Sequence, residues 1–153
     1  VGKYEEAISK HLESIAIKKR ILGSTSNHPE VAKSLGNLAI VYEKVGRLDE
    51  AMEVNVECLE IQKKSLGPKS QDVARTLKGM GIILSEQGKV SQAVSVLNEA
   101  LSITISSVGR KHRDVVAILI VCADALYLQG FHDDALGKFS EAITIMRGIL
   151  GND

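Results

Sequence analysis

One six-residue phrase occurs four times in this chain: GKYEEA from Gly2, GRLDEA from Gly46, GKVSQA from Gly88 and GFHDDA from Gly130. The copies begin 44, 42 and 42 residues apart. A fixed period of this length predicts a repeat array, because a unit of about 40 residues buries too little surface to fold alone and must stack on its neighbours. Such a stack typically presents an extended binding surface rather than a catalytic pocket.

Between the copies, apolar residues recur with the spacing of an α-helix. Leu35, Leu38 and Tyr42 lie three and four residues apart, on one helical stripe. Glycines that follow such runs, among them Gly23 and Gly67, suit the left-handed residue that ends a helix. The pattern predicts seven helices, at roughly residues 3–22, 29–45, 48–65, 71–87, 90–107, 113–128 and 132–149. We interpret residues 1–153 as a single array and as a piece of a longer repeat protein.

The composition excludes several classes of partner. Lysine plus arginine equals aspartate plus glutamate at 19 each, which gives no net positive field for a nucleic acid or an anionic membrane. The longest strongly apolar stretch, Val115 to Ala123, is about half the length needed to span a bilayer. The two cysteines lack a metal-ligand spacing and indicate a reducing compartment. The sequence therefore predicts a cytoplasmic protein without nucleic-acid or membrane partners.

No group of residues has the pattern of a catalytic or metal site. The four histidines form no ligand pair at helical spacing, and His28 and His112 precede helices, where a capping or turn role explains them. Cys58 stands where other copies have Ala100 and Ala142, so we interpret it as a core residue. We expect no enzyme activity, no cofactor and no metal.

Each helix pair carries small residues at fixed places in the repeat. They are Ala39, Gly81 and Ala123 on the first helix of each pair, and Ala7, Ala51, Ala93 and Ala135 on the second. A period of 42 alone would favour HEAT or armadillo units, but small residues at these places are typical of tetratricopeptide repeats. The extra length over a standard 34-residue unit is about two helical turns, or one added turn per helix, which keeps the packing faces in register.

Two longer phrases carry a more specific resemblance. They are LGSTSNHPEVAKSLGNLAIVYEKVGRLDEA from Leu22 and LGPKSQDVARTL from Leu66. In these phrases the chain resembles the tetratricopeptide domain of kinesin light chains, which uses repeats of the same length, and the likeness extends over nearly the whole chain. The resemblance implies an all-α fold, a right-handed superhelical solenoid of antiparallel helix pairs.

The resemblance also implies which surface binds a partner, because the second face of each first helix lines the concave groove in that family. Of the paired asparagines that the family places there, only Asn37 is present. A basic strip for an acidic peptide or a terminal carboxylate is predicted at Lys33, Arg75 and Lys78. The alternative, which fits these residues equally well, is a solvated face with ordinary charges. The full set of predicted partner-binding residues is Lys33, Asn37, Ile40, Arg75, Lys78, Ile82, Ile120, Asp124 and Tyr127.

The first helix of the last pair differs from the others. From Val115 to Leu128 it contains one charged residue, Asp124. A helix that is apolar all round is normally covered all round. Two alternatives are open: the solenoid closes over this face, or a partner segment or another copy of the chain covers it.

These features together predict a protein–protein interaction scaffold that binds a protein or peptide partner in the groove. A kinesin-light-chain-like cargo adaptor is one form of this function. The alternative is a structural spacer or a self-assembly module that associates through the ends of the array or through the apolar third repeat.

Overall fold

The computed structural model describes residues 2–23 and 27–151, and within these ranges it contains seven α-helices and no strand. The all-α prediction is confirmed, and the observed helix ends differ from the predicted ones by at most one residue. We call α2, α4 and α6 the first helices, and α1, α3, α5 and α7 the second helices. The bounds are α1 Gly2–Leu22, α2 Pro29–Lys44, α3 Leu48–Ser65, α4 Gln71–Glu86, α5 Val90–Val108, α6 Arg113–Leu128 and α7 His132–Leu150.

The chain divides into two compact units, Val1–Thr76 and Leu77–Asp153. In the first unit α1 packs on α2, and α2 packs on α3. In the second unit α5 packs on α6, and α6 packs on α7. Each unit therefore places a first helix between the second helix that precedes it and the second helix that follows it.

Each described helix is followed by a glycine with positive φ, between +71° and +96°. After α2, the N–H of Gly46 donates to the carbonyl of Glu43 and the N–H of Arg47 donates to that of Tyr42, both at 2.9 Å. The same pair of bonds follows α4 and α6. A side chain at this φ would be strained, so glycine ends the helix at a fixed residue, which explains why the second, third and fourth copies of the repeated phrase begin with glycine.

One side chain caps the start of each first helix. Nδ1 of His28 accepts a hydrogen bond from the backbone N–H of Glu30 at 3.2 Å, which confirms the predicted capping role. Nδ1 of His112 accepts from the N–H of Asp114 at 3.1 Å. At the aligned position before α4, Oγ of Ser70 accepts a hydrogen bond from the backbone N–H of Val73 at 3.3 Å. The capping position thus recurs with the repeat even where the residue type changes.

The core is built from three buried residues near the start of each first helix, which we call the apolar triplet. The triplets are Val31, Ala32 and Leu35, then Val73, Ala74 and Leu77, then Val115, Val116 and Leu119, and none of the nine is more than 4% exposed. In the second unit the triplet packs with Ala142 and Ile145 of α7, and Leu101 and Ile105 of α5 pack against the same cluster. The triplet therefore joins the two second helices that flank it.

The predicted small residues are buried in every helix pair of the described chain. Ala39, Gly81 and Ala123 are buried on the first helices, and Ala51, Ala93 and Ala135 on the second helices. Ala7, on α1, is half-buried. The small residues lie at contact positions, as close packing of helix pairs requires.

Candidate partner-binding face

The nine predicted partner-binding residues lie in three stripes, one on each first helix. Residues spaced three or four apart on a helix point to the same side, so each stripe is one face of its helix. We use the term first-helix face for these stripes. They are Lys33, Asn37 and Ile40 on α2, Arg75, Lys78 and Ile82 on α4, and Ile120, Asp124 and Tyr127 on α6.

The α2 stripe is exposed along its whole length. Lys33, Asn37 and Ile40 are all exposed, whereas Leu38 and Ala39 between them are buried. A cation, an amide and a large aliphatic side chain therefore lie side by side on open surface. This combination offers a charged group, a hydrogen-bonding group and an apolar contact to one ligand.

The α4 stripe is more enclosed and partly neutralised. Nη1 of Arg75 lies 2.5 Å from a carboxylate oxygen of Asp72, one turn earlier on the same helix. Lys78 and Ile82 are half-buried. An exposed ion pair of this kind contributes at most about 1 kcal/mol, so Arg75 remains able to exchange Asp72 for a carboxylate of a ligand.

The α6 stripe is exposed along its whole length, and Asp124 is its only charged residue. Ile120 and Tyr127 are both exposed, and so is Leu128 beside them. The Tyr127 ring meets His132 edge-on, with 5.1 Å between ring centroids. This part of the first-helix face suits apolar ligand groups, in contrast to the basic α2 stripe.

The turn after α6 contains an exposed aromatic residue that the sequence prediction missed. Phe131 is exposed and stands where the earlier copies of the repeated phrase have Arg47 and Lys89. Leu128 likewise replaces Lys44 and Glu86. In the fourth copy, apolar residues thus replace charged ones, and this difference between the copies could have indicated the exposed apolar surface. We call Tyr127, Leu128 and Phe131 the apolar turn.

A buried polar network joins α2, α3 and α4. Sγ of Cys58 donates to the carbonyl of Ala32 at 3.1 Å, and Oγ1 of Thr76 donates to Oε1 of Gln62 at 2.8 Å. Burial raises the pKa of the Cys58 thiol, and it does the same for Cys122. Both thiols are free and buried, and a raised pKa keeps them protonated near neutral pH. The interpretation of Cys58 as a core residue is confirmed.

Two further observations concern the described ranges. Among residues 2–23 and 27–151, no group of three or more histidine, cysteine, aspartate or glutamate side chains is placed to hold a metal ion. Over the same residues, each helix is too short or too polar to cross a membrane.

The helix pairs, their period and their glycine ends are those of an α-helical repeat protein. The tetratricopeptide repeat model matches residues 1–64 and, in a second overlapping match, residues 30–106. These matches cover more than half of the chain. The chain belongs to the tetratricopeptide repeat family.

Solved structures agree with this assignment. BtubC (BKLC) from P. vanneervenii is similar over 96% of this chain and 57% of its own, with a TM-score of 0.85 and 22% identity. A kinesin-light-chain-like protein of P. anserina with nearly identical TPR-like repeats is similar over 96% and 69%, with a TM-score of 0.78 and 23% identity. A variant of the same protein is similar over 96% of this chain and 68% of its own, with a TM-score of 0.80 and 23% identity. The chain thus spans little more than half of the first relative. The predicted likeness to kinesin-light-chain repeats is confirmed for the fold.

No curated protein matches this chain in sequence.

Proposed function

We propose that this chain is a protein-interaction module that binds a peptide or protein segment along the first-helix face. The observation that supports this proposal is a contrast between two sets of aligned positions. The buried triplet hardly changes, whereas the aligned exposed or half-buried residues of the first helices change from Asn37 to Gly79 to Val121 and from Ile40 to Ile82 to Asp124. Constant stacking residues beside a variable face are typical of repeat proteins that recognise partners.

The two ends of the described chain favour different ligand groups. Lys33 and Arg75 in the first unit suit carboxylates of an acidic peptide. Ile120 and Tyr127 in the second unit suit apolar side chains. A cargo adaptor of the kinesin-light-chain kind is one form of this function, and the shared fold supports it. The two buried free thiols support a reducing compartment such as the cytoplasm.

The proposed preference for acidic ligands is tested with a peptide that is selected from a library for binding to the parent chain. Lys33→Glu combined with Arg75→Glu should weaken binding of an acidic peptide about tenfold or more at low salt, because two attractive charges become repulsive. Both side chains are exposed, so the fold should persist in circular dichroism. Fluorescence anisotropy gives the dissociation constants.

The matched control is Lys3→Glu combined with Lys64→Glu. It changes the net charge by the same amount at exposed positions on α1 and α3, away from the first-helix face. We expect this variant to bind like the parent. Equal losses in both variants would show that only overall charge matters, and unchanged binding in both would remove Lys33 and Arg75 from the site.

A second candidate function is a structural spacer or self-assembly module. The exposed apolar turn, Tyr127, Leu128 and Phe131, favours it, because apolar surface of this kind is a common contact between copies. Light scattering over a concentration series separates the two functions. A monomer at high concentration contradicts self-assembly, and a dimer that Phe131→Glu dissociates supports it.

A further inference from the structure

The apolar turn lies at a place in the repeat that stays exposed inside the array. Leu128 is 71% exposed. It is aligned with Lys44 and Glu86, which are exposed too, although further helices of the chain follow each of them. The exposure of Leu128 is therefore typical of its position in the repeat and does not depend on its being in the last copy. Only its apolar character is special to the fourth copy of the phrase.

The aligned turn of the second copy holds a cation between an aromatic ring and a carboxylate. The guanidinium carbon of Arg47 lies 4.8 Å from the centroid of the Tyr42 ring. Nε of Arg47 donates a hydrogen bond to Oε1 of Glu50 at 2.8 Å. A ring and a carboxylate at the turn between a first and a second helix can thus hold a guanidinium together.

The fourth copy keeps the carboxylate and the aromatic rings but lacks the cation. Asp134 is aligned with Glu50, whereas Phe131 stands in the place of Arg47. The rings of Phe131 and Tyr127 belong to exposed residues, so their faces are open to a ligand. The cation that the chain itself supplies in the second copy has to come from elsewhere in the fourth.

Uncompensated negative charge surrounds the apolar turn. Residues 124–134 contain no lysine or arginine, and they contain three exposed aspartates, Asp124, Asp133 and Asp134. Within the described part of the chain none of the three forms an ion pair, and Lys138, one turn into α7, is no exception. One aspartate lies a helical turn before Leu128, and the other two follow Phe131 within three residues. The apolar surface is therefore flanked by carboxylates on both sides.

We propose that this turn binds a segment of a partner protein in which arginine or lysine stands beside an apolar side chain. The cation lies over an exposed ring and meets a carboxylate, as Arg47 does within the second copy. The apolar side chain packs against Leu128. An anionic membrane, which also accepts exposed aromatic residues, is repelled by the three carboxylates. The proposal rests on the proposed function and names the ligand chemistry at the α6 end of the first-helix face.

The probes are two synthetic peptides, acetyl-RLFR-amide and acetyl-ELFE-amide, which differ only in the sign of their flanking charges. Each is titrated at low salt into the isotope-labelled chain, and the backbone amide signals of residues 124–134 are followed by NMR. We expect the arginine peptide to shift these signals saturably, with a dissociation constant lower by about threefold or more than that of the glutamate peptide. The difference should shrink as salt is added.

Neutral variants identify the carboxylates that matter. Asp133→Asn combined with Asp134→Asn should remove most of the preference for the arginine peptide. The matched control, Glu53→Gln with Glu60→Gln, removes the same charge at exposed positions of α3 and should keep the preference. Asp124→Asn should weaken binding of the arginine peptide about twofold. It lies near the C-terminal end of α6, where losing a carboxylate does not weaken the helix, so it decides if the α7 variant loses helix content.

Four outcomes would overturn the proposal. The first two are no saturable shift of these signals up to about 5 mM peptide, and equal affinity for the two peptides at low salt. The third is an equal loss of preference in both double variants. The fourth is a parent dimer in light scattering that Phe131→Glu dissociates, because a second copy then covers the turn. The acidic peptide bound through Lys33 and Arg75 is measured separately, so the proposed function can stand when this proposal fails.

Discussion

Replacing Leu119 with alanine should lower the free energy of unfolding by about 2–5 kcal/mol, the largest effect expected of a single substitution in this chain. Leu119 is 0% exposed and lies in the triplet cluster that joins α5, α6 and α7. The lost methyl groups leave a cavity among side chains held by three helices, which limits how far the site can collapse. Chemical denaturation followed by circular dichroism measures the change.

The neighbouring residue is the control for this prediction. Ile120 is 39% exposed on the first-helix face, so Ile120→Ala should cost less than about 1 kcal/mol. The two substitutions remove similar side chains one residue apart. Equal costs would mean that the assignment of the two faces of α6 is wrong.

Gly81→Ala should also destabilise the chain, by about 1–3 kcal/mol, although alanine favours helices over glycine. A Cβ built on Gly81 lies 2.5 Å from Cγ and 2.6 Å from Cδ2 of Leu97. Leu97 is fully buried, so its side chain has no open space to move into. The added methyl group must push α4 and α5 apart or force Leu97 out of its rotamer.

Two comparisons make this prediction specific. Gly137 also lies inside a helix, but its added Cβ meets nothing within 4 Å, so Gly137→Ala should stabilise the chain by up to about 1 kcal/mol. In a Leu97→Ala background the clash disappears, and Gly81→Ala should then cost nothing further. Stabilisation by Gly81→Ala in the parent would contradict the close contact between α4 and α5.

The fold could be predicted because its determinants are local and repeated. The glycine at the start of the second, third and fourth phrases, such as Gly46, has a positive φ that few other residues adopt, so a helix end is visible in the sequence. The spacing of Leu35 and Leu38 marks a buried stripe in the same way. Each repeat confirms the register of the others, which removes the ambiguity that a single amphipathic segment leaves.

The sequence predicted the exposure of several proposed partner-binding residues but not their contacts. Helical spacing placed Lys33, Arg75 and Ile120 on one side of their helices, and all three are exposed. Spacing does not show that Arg75 pairs with Asp72, because that depends on rotamers. It also cannot link Gln62 with Thr76, since their hydrogen bond joins two helices.

Helix α7 shows a further limit of periodicity. Leu136 and Ile143 have the spacing of core residues, yet both are exposed. A period tells which side of a helix is apolar, and only the neighbouring elements decide whether that side is covered. Ile15, the residue of α1 aligned with Ile143, is buried, and α1 packs on α2.

The central claim is that partners bind the first helices, while the second helices serve stacking. It is tested most directly with a photo-reactive phenylalanine derivative placed at single positions, followed by mass spectrometry of the adduct with the library-selected peptide. One set lies on the first-helix face, at Lys33, Arg75 and Asp124, and the other at the aligned exposed positions of the second helices, Glu53, Ser95 and Gly137. We expect cross-links from the first set only. Cross-links of equal yield from the second set would contradict the account.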